Sequence, residues 1–160
     1  MLIRHLEPGD YHPIISVLND WWGGRKMDDM LPKLFFTHFR ETSFAAEEGV
    51  QIIGFLVGFL SQTFPDEAYI HFVGVHPDFR KRGVGRSLYE RFLKTTGQYG
   101  RNTIRCVTAP INKTSIAFHT RMGFQAEPHS SQMNGVSYYP NYDGAGEDRV
   151  LFIKRIEESA

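Results

Sequence analysis

The sequence predicts a single α/β domain, a mixed sheet of six to seven strands flanked by about four helices. Three observations carry that prediction. The chain has 160 residues, enough for one compact core and short for two. Hydrophobic residues make up 41% and charged residues 22%, which fills a core, keeps a soluble surface and excludes disorder of the chain as a whole. Runs with helical spacing of apolar residues alternate with short strand-like runs, the order expected of a sheet with helices on its faces. No repeat, low-complexity segment or linker divides the chain, so residues 1–160 read as one domain.

Leu2 to Leu6 alternates as a short strand. Gly9 to Trp22 carries Ile14, Ile15, Val17, Leu18 and Trp21 at helical spacing, and Gly23-Gly24 stops it. Asp28 to Arg40 reads as a second helix with Leu31, Leu34, Phe35 and Phe39 on one face. Ser43–Glu48 and Val50–Gln62 read as strands joined by a turn at Glu48-Gly49. Tyr69 to His76 is a strand stopped by Pro77, and Gly83 to Gln98 an amphipathic helix with Val84, Leu88, Phe92 and Leu93 inward. Thr103–Thr108 is a buried strand, and Asn112–Met122 a helix ended by Gly123. Phe124–Glu127 begins another strand, Ser130–Glu147 is a long ordered loop or ragged hairpin, and Arg149–Ile156 is the last strand. The order is β-α-α-β-β-β-α-β-α-β-β.

Composition narrows the function. Lys+Arg and Asp+Glu both number 18, for a net charge of +0, without the basic excess of a dedicated nucleic-acid binder. Cys106 is the one cysteine, so an internal disulfide and a cysteine-rich zinc site are excluded, and it reads as a small buried hydrophobe. The seven histidines show no metal-ligand spacing, and His71 and His76 lie five apart on one strand, on opposite faces. The start MLIRHLEPGD has no signal-peptide core, and the apolar run Ile52–Leu60 is far shorter than the roughly 20 residues of a membrane helix. A cytoplasmic protein without membrane, metal or nucleic-acid partners is expected.

The most informative stretch is VGVHPDFRKRGVGRS, from Val73 to Ser87. A strand ends, a basic turn follows, and a helix begins at two glycines. The first amides of a helix have no internal partner, and the helix dipole adds positive potential there. Together they make an anion site. Gly83 and Gly85 let a phosphate approach the main chain, and Arg80, Lys81, Arg82 and Arg86 supply charge around it. The dinucleotide fingerprint fails because its third glycine is Leu88, and the Gly-Lys-Ser/Thr of a nucleotide-triphosphate loop is absent. A solvated helix start or a local nucleic-acid patch are the alternatives for this basic run.

Arg80-x-x-Gly83-x-Gly85 resembles the Gln/Arg-x-x-Gly-x-Gly/Ala signature of the GNAT superfamily of N-acetyltransferases. The block NKTSIAFHTRMGF, Asn112 to Phe124, is similar to that superfamily's next motif, in which Asn opens a helix ending in Gly-Phe. The resemblance covers the element order of nearly the whole chain. It implies a mostly antiparallel sheet with a splayed central strand pair, Tyr69–His76 and Thr103–Thr108, and acetyl-CoA as cosubstrate. It implies that the pantetheine arm pairs with main chain near Val73 and Val75 and bonds Asn112, and that the diphosphate meets the amides of Arg82, Gly83, Val84, Gly85, Arg86 and Ser87. Gly74 reads either as the strand bulge that opens the split or as a packing glycine. Asn112 also suits a helix cap, with Ser115 at the third helical position.

The implied reaction is attack of an amine on a thioester. An amine of pKa about 10.4 costs about 4–5 kcal/mol to deprotonate at pH 7, so a base is needed. The strand AYIHFVGVH is similar to one in arylalkylamine N-acetyltransferases, whose histidines are associated with proton transfer, which makes His71 the candidate base. An amide such as that of Val75 would steady the developing oxyanion. Many relatives place a tyrosine acid where this chain has His119. A thiol of pKa about 8.5 leaves only about 2 kcal/mol to gain from protonation at pH 7, so the change need not abolish activity. His119 reads either as that acid or as a packing residue.

By the same resemblance the acceptor site is shaped by the segments holding Trp21, Trp22 and Arg25 and by Tyr138, Tyr139 and the loop to Gly144. Aromatic walls suit a cationic amine, Arg25 a carboxylate-bearing one. The acceptor is a small amine, an amino acid or a peptide. The alternative to an enzyme is a non-catalytic acyl-CoA sensor or regulatory module, and relatives often form homodimers.

Overall fold

The computed structural model describes residues 1–157. Its strands are β1 (Leu2–His5), β2 (Phe44–Glu48), β3 (Gln51–Leu60), β4 (Glu67–Val75), β5 (Thr103–Thr108), β6 (Gln125–Ala126), β7 (Gln132–Met133), β8 (Val136–Ser137) and β9 (Val150–Arg155). Its α-helices are α1 (Tyr11–Trp21), α2 (Leu34–His38), α3 (Val84–Gln98) and α4 (Lys113–Arg121). Seven strands form one sheet in the order β1-β2-β3-β4-β5-β9-β6, and β7 pairs with β8 separately. The pairs β1/β2, β2/β3, β5/β9 and β6/β9 are antiparallel, and β4/β5 is parallel. No helix among the described residues is long and apolar enough to cross a membrane. The chain gathers into two compact units, one of residues 1–60 and 70–100, the other of residues 61–69 and from Arg101 onward.

The first unit is built on β1–β3 and the larger part of β4. In α1, Ile14, Leu18 and Trp21 recur at helical spacing and are buried with Leu6, Leu31, Phe36, Phe55, Val57 and Phe72. Each such side chain contributes about 1.5–3 kcal/mol on burial. On β3 neighbouring residues face opposite ways. A side chain at Gly54 would meet Val84 and Leu88 of α3, whereas Phe55 packs against Trp21 and Trp22. Glycine at 54 thus lets α3 sit close on the sheet. Val84, Leu88 and Phe92, at positions i, i+4 and i+8, are the buried stripe that holds it.

Two expectations are corrected here. The helix expected from Asp28 to Arg40 is instead a 3-10 turn at Asp28–Met30, the five-residue α2, and a second 3-10 turn at Arg40–Thr42. Pro32 interrupts it, since proline has no amide and disfavours a helical residue before it. The break rotates the inward face, so Leu31 and Phe36 are buried while Leu34 is 48% exposed. The hairpin turn is Gly49-Val50 rather than Glu48-Gly49. Glu48 pairs with Gln51, and Gly49 adopts φ +63°.

In the second unit β9 lies between β5 and β6. Arg105 on β5 pairs with Glu67 and, at 2.6 Å, with Glu127. Nη1 of Arg101 donates to the carbonyls of Ser61, Phe64 and Glu67 at 3.0–3.1 Å, which fixes the approach to β4. The segment Ser130–Glu147 contains the small hairpin β7–β8, as the glycine- and asparagine-rich sequence suggests. Cys106 is buried, and burial pushes its thiol far up, so it is inert packing.

Gly74 on β4 is a packing glycine. A Cβ there would lie 2.8 Å from the Trp22 ring and 2.9 Å from Phe55, and rigid aromatic rings have little freedom to yield. Gly74→Ala is expected to lower stability by about 1–3 kcal/mol through overpacking, read as a shifted midpoint in urea denaturation.

Candidate active site

The basic turn and the start of α3 lie in the first unit. Gly83 is the N-cap of α3 at φ +81°, a left-handed conformation that glycine adopts without strain. It offers no side chain to cap the helix. The amides of Val84, Gly85 and Arg86 therefore open the helix without intrahelical acceptors. Lys81, also left-handed at φ +62°, tightens the turn before it. A Cβ at Gly83 would meet nothing within 4 Å, so the space over the helix start is open to a ligand. Arg82 reaches over the Phe79 ring at 4.9 Å, and Lys81, Arg82 and Arg86 are exposed around it.

Two expected diphosphate contacts change. The Ser87 amide donates to the Gly83 carbonyl at 3.0 Å. It is the first amide to close an α-helical ring, so it belongs to the helix and not to an anion. Arg80 is turned to the main chain. Its Nη2 donates to the Trp21 carbonyl at 2.6 Å and its Nε to the Val75 carbonyl at 3.3 Å. It ties the end of α1 to the end of β4, a structural role that the signature alone does not reveal.

Beyond β4 the His76 amide donates to Ile53 of β3 at 2.8 Å. Main-chain groups of successive strand residues point to opposite edges. Val75, the residue before it, therefore points its main chain away from β3, and its carbonyl accepts from Arg80 on that side. Among the described residues the parallel ladder of β4 with β5 covers only Glu67, Ala68 and Tyr69, so Val73 and Val75 lie beyond it. This is the edge on which an extended ligand could pair.

His71 is half-buried on β4. Its Nε2 lies 2.7 Å from the Met30 carbonyl, and its ring stacks on Phe35 at 4.4 Å between centroids and 13° between planes. A carbonyl only accepts, so Nε2 carries the proton and Nδ1 presents a lone pair. Burial lowers the His71 pKa, with the Met30 bond opposing in part. A neutral imidazole is the form that can accept a proton. Neither Met30 nor Phe35 stands out in the sequence, since any residue supplies a carbonyl and Phe35 reads as helix packing.

Trp21 is buried against Phe55 and His76, and Trp22 is half-buried against Phe72. Both anchor the end of α1, and Trp22 alone retains partial exposure in a site-like position beside Gly74. In the second unit Asn112 caps α4, its Oδ1 accepting from the Ser115 amide at 3.1 Å. The cap leaves the side-chain NH2 available to donate elsewhere. The Tyr139 hydroxyl donates to the Pro128 carbonyl at 2.8 Å and its ring packs on His129, which pins the loop. The Tyr138 amide donates to the Ser131 carbonyl, and its side chain is half-buried.

His119 is only 4% exposed. Its Nδ1 donates to the Ser115 carbonyl at 2.8 Å, and the ring stacks on Phe152 with Phe118 and Phe124 edge-on. Nε2 is buried without a hydrogen-bond partner. Burial lowers its pKa, with the Ser115 bond opposing in part. Burial and the unpartnered Nε2 favour a neutral imidazole over a charged proton donor, which weighs against the acid role that its place in the motif implies.

The family model of the acetyltransferase (GNAT) family matches residues 11–124. The chain belongs to that family. Over 84 residues this GNAT chain is 31% identical to L-2,4-diaminobutyric acid acetyltransferase of Nocardia farcinica, covering 52% of this chain and 44% of that protein. Over 119 residues it is 27% identical to the [ribosomal protein bS18]-alanine N-acetyltransferase of Escherichia coli K12, covering 69% of this chain and 76% of that one. Ard1 from Thermoplasma volcanium has the same fold at 20% identity, with a TM-score of 0.75 over 98% of each chain.

A histidine whose pKa is lowered by folding binds its proton more readily in the unfolded chain. Stability is then full above the ordinary histidine pKa of about 6.5 and falls as pH drops below it. Replacing the ring by phenyl removes both the titration and the unpartnered Nε2. His119→Phe is expected to flatten the loss of stability between pH 7.5 and pH 5.5 (about one unit to either side of that value), measured by urea denaturation at both.

Proposed function

We propose that this GNAT chain moves an acetyl group from acetyl-CoA to a primary amine. The observation that carries the reading is the uncapped start of α3, at the end of the basic turn that follows β4, with open space over a left-handed Gly83. The residues fit a diphosphate: three helix-start amides, the loop amides of Arg82 and Gly83, and the charges of Lys81, Arg82 and Arg86. When bound, acetyl-CoA supplies the activated acetyl group. The Val75 amide, on the β4 edge beyond the ladder, and on the family motif alone that of Val73, hold an extended amide-bearing chain, and the Val75 amide steadies negative charge on a carbonyl oxygen. Asn112 is assigned as a further donor to the pantetheine arm on the family motif alone.

His71 acts as base through Nδ1 and takes the proton that a cationic amine must lose. The acceptor is a small amine, an amino acid or a peptide. The relatives named above point to amino groups of this kind, an amino acid in one name and an alanine of a ribosomal protein in the other. Both relatives are enzymes, which favours transfer over the non-catalytic sensing of acyl-CoA. Trp22 is proposed to contribute to acceptor binding, because it keeps partial exposure in the first unit, and Tyr138 is proposed on the family resemblance alone.

Thiol release from acetyl-CoA across a panel of amines, amino acids and peptides tests the activity. With the best acceptor, His71→Ala is expected to lower kcat by about 10²-fold or more at pH 7. Gly83→Val is expected to weaken coenzyme A binding by at least about tenfold, about 1.4 kcal/mol, read by calorimetry with a melting curve to confirm folding. Unchanged affinity in a folded Gly83→Val protein would overturn the diphosphate cradle.

A further inference from the structure

His71 does not hold its tautomer alone. Nε2 of His71 donates to the Met30 carbonyl at 2.7 Å, and Met30 ends the 3-10 turn Asp28–Met30. That turn is short, and its own bonding is sparse, with the Met30 amide donating to the Met27 carbonyl at 3.0 Å. What fixes its start is the side chain of Asn19 on α1. Its Oδ1 accepts from the Met27 amide at 2.7 Å and from the Asp28 amide at 3.0 Å. Two donors on one atom also settle which way the Asn19 amide faces, because its NH2 could not accept them. The main-chain carbonyl of Asn19 separately closes the end of α1, accepting from Trp22 at 3.1 Å and Gly24 at 2.8 Å.

We infer that Asn19 is a positioning residue for His71: through the Met27 and Asp28 amides it places the Met30 carbonyl, which keeps the imidazole proton on Nε2 and the lone pair on Nδ1. The inference rests on His71 being the base proposed above. The geometry explains why an asparagine serves here. The turn lies beyond the Gly23-Gly24 stop of α1, at φ +69° and +87°, and the chain returns close enough for one side-chain oxygen to bind two amides eight and nine residues ahead. Stacking of the His71 ring on Phe35 sets its plane, and Phe72 contacts it edge-on at 5.2 Å. The contact with Met30 selects which nitrogen is protonated. With that carbonyl displaced, neutral imidazole is free to move its proton to Nδ1, and the nitrogen that must take a proton no longer has a lone pair.

The test reads the ring itself by 15N NMR on protein labelled at histidine, without acetyl-CoA. The parent is expected to show His71 as the Nε2–H form. Asn19→Ala is expected to shift His71 towards a mixture of both forms and to lower kcat about tenfold, with the KM for acetyl-CoA within about twofold of the parent. A parent His71 protonated on Nδ1 overturns the inference without any variant. So does a folded Asn19→Ala protein whose His71 signals and kcat match the parent. Failure of the base assignment is separate, and shows as a His71→Ala protein that turns over at the parent's rate.

Discussion

An α-helix begins with amides that its own hydrogen bonds cannot reach, and in this chain nothing covalent covers them. At the start of α3 the cap is a glycine in a left-handed conformation, with open space where a side chain would stand. The rest of the first unit keeps that helix start in place. Val84, Leu88 and Phe92 press α3 onto the sheet, and Gly54 lets the contact close. Arg80 braces the strand before the turn by binding the carbonyls of Val75 and Trp21.

The same economy of side chains runs through the candidate base. His71 and His119 are both desolvated and both hydrogen-bonded to a carbonyl. They differ in what surrounds the second nitrogen. His119 is enclosed by Phe118, Phe124 and Phe152 and is almost wholly buried, whereas His71 is half-buried and stacked on one side by Phe35. Residue type alone makes the two equal candidates. Their environments separate them, because proton transfer needs access as well as a suitable pKa.

Two residues of the glycine-rich run are engaged in ways that their motif positions do not show. Arg80 matches a signature position yet binds main chain. Ser87 sits in the glycine-rich run yet its amide closes the helix. Each follows from a rule of local structure, that a helix uses its fourth amide and that a guanidinium beside exposed carbonyls binds them. Motif spacing places residues near a site without saying which of their atoms are already engaged.

The order of strands and helices, the glycine-rich helix start and the family were legible in the sequence because they depend on near neighbours: periodicity, turn residues and a motif 15 residues long from Val73 to Ser87. The break of the second helix was legible in principle at Pro32, although the apolar spacing of Leu31, Leu34, Phe35 and Phe39 outweighed it. Only the tertiary structure decided that Phe36 rather than Leu34 turns inward, that Trp22 and Phe55 close over Gly74, and that Asn19 and Met30 reach His71. Those contacts join residues 8 to 52 positions apart. They depend on how elements pack in three dimensions, and a carbonyl or a buried ring leaves no mark in the sequence to announce its partner.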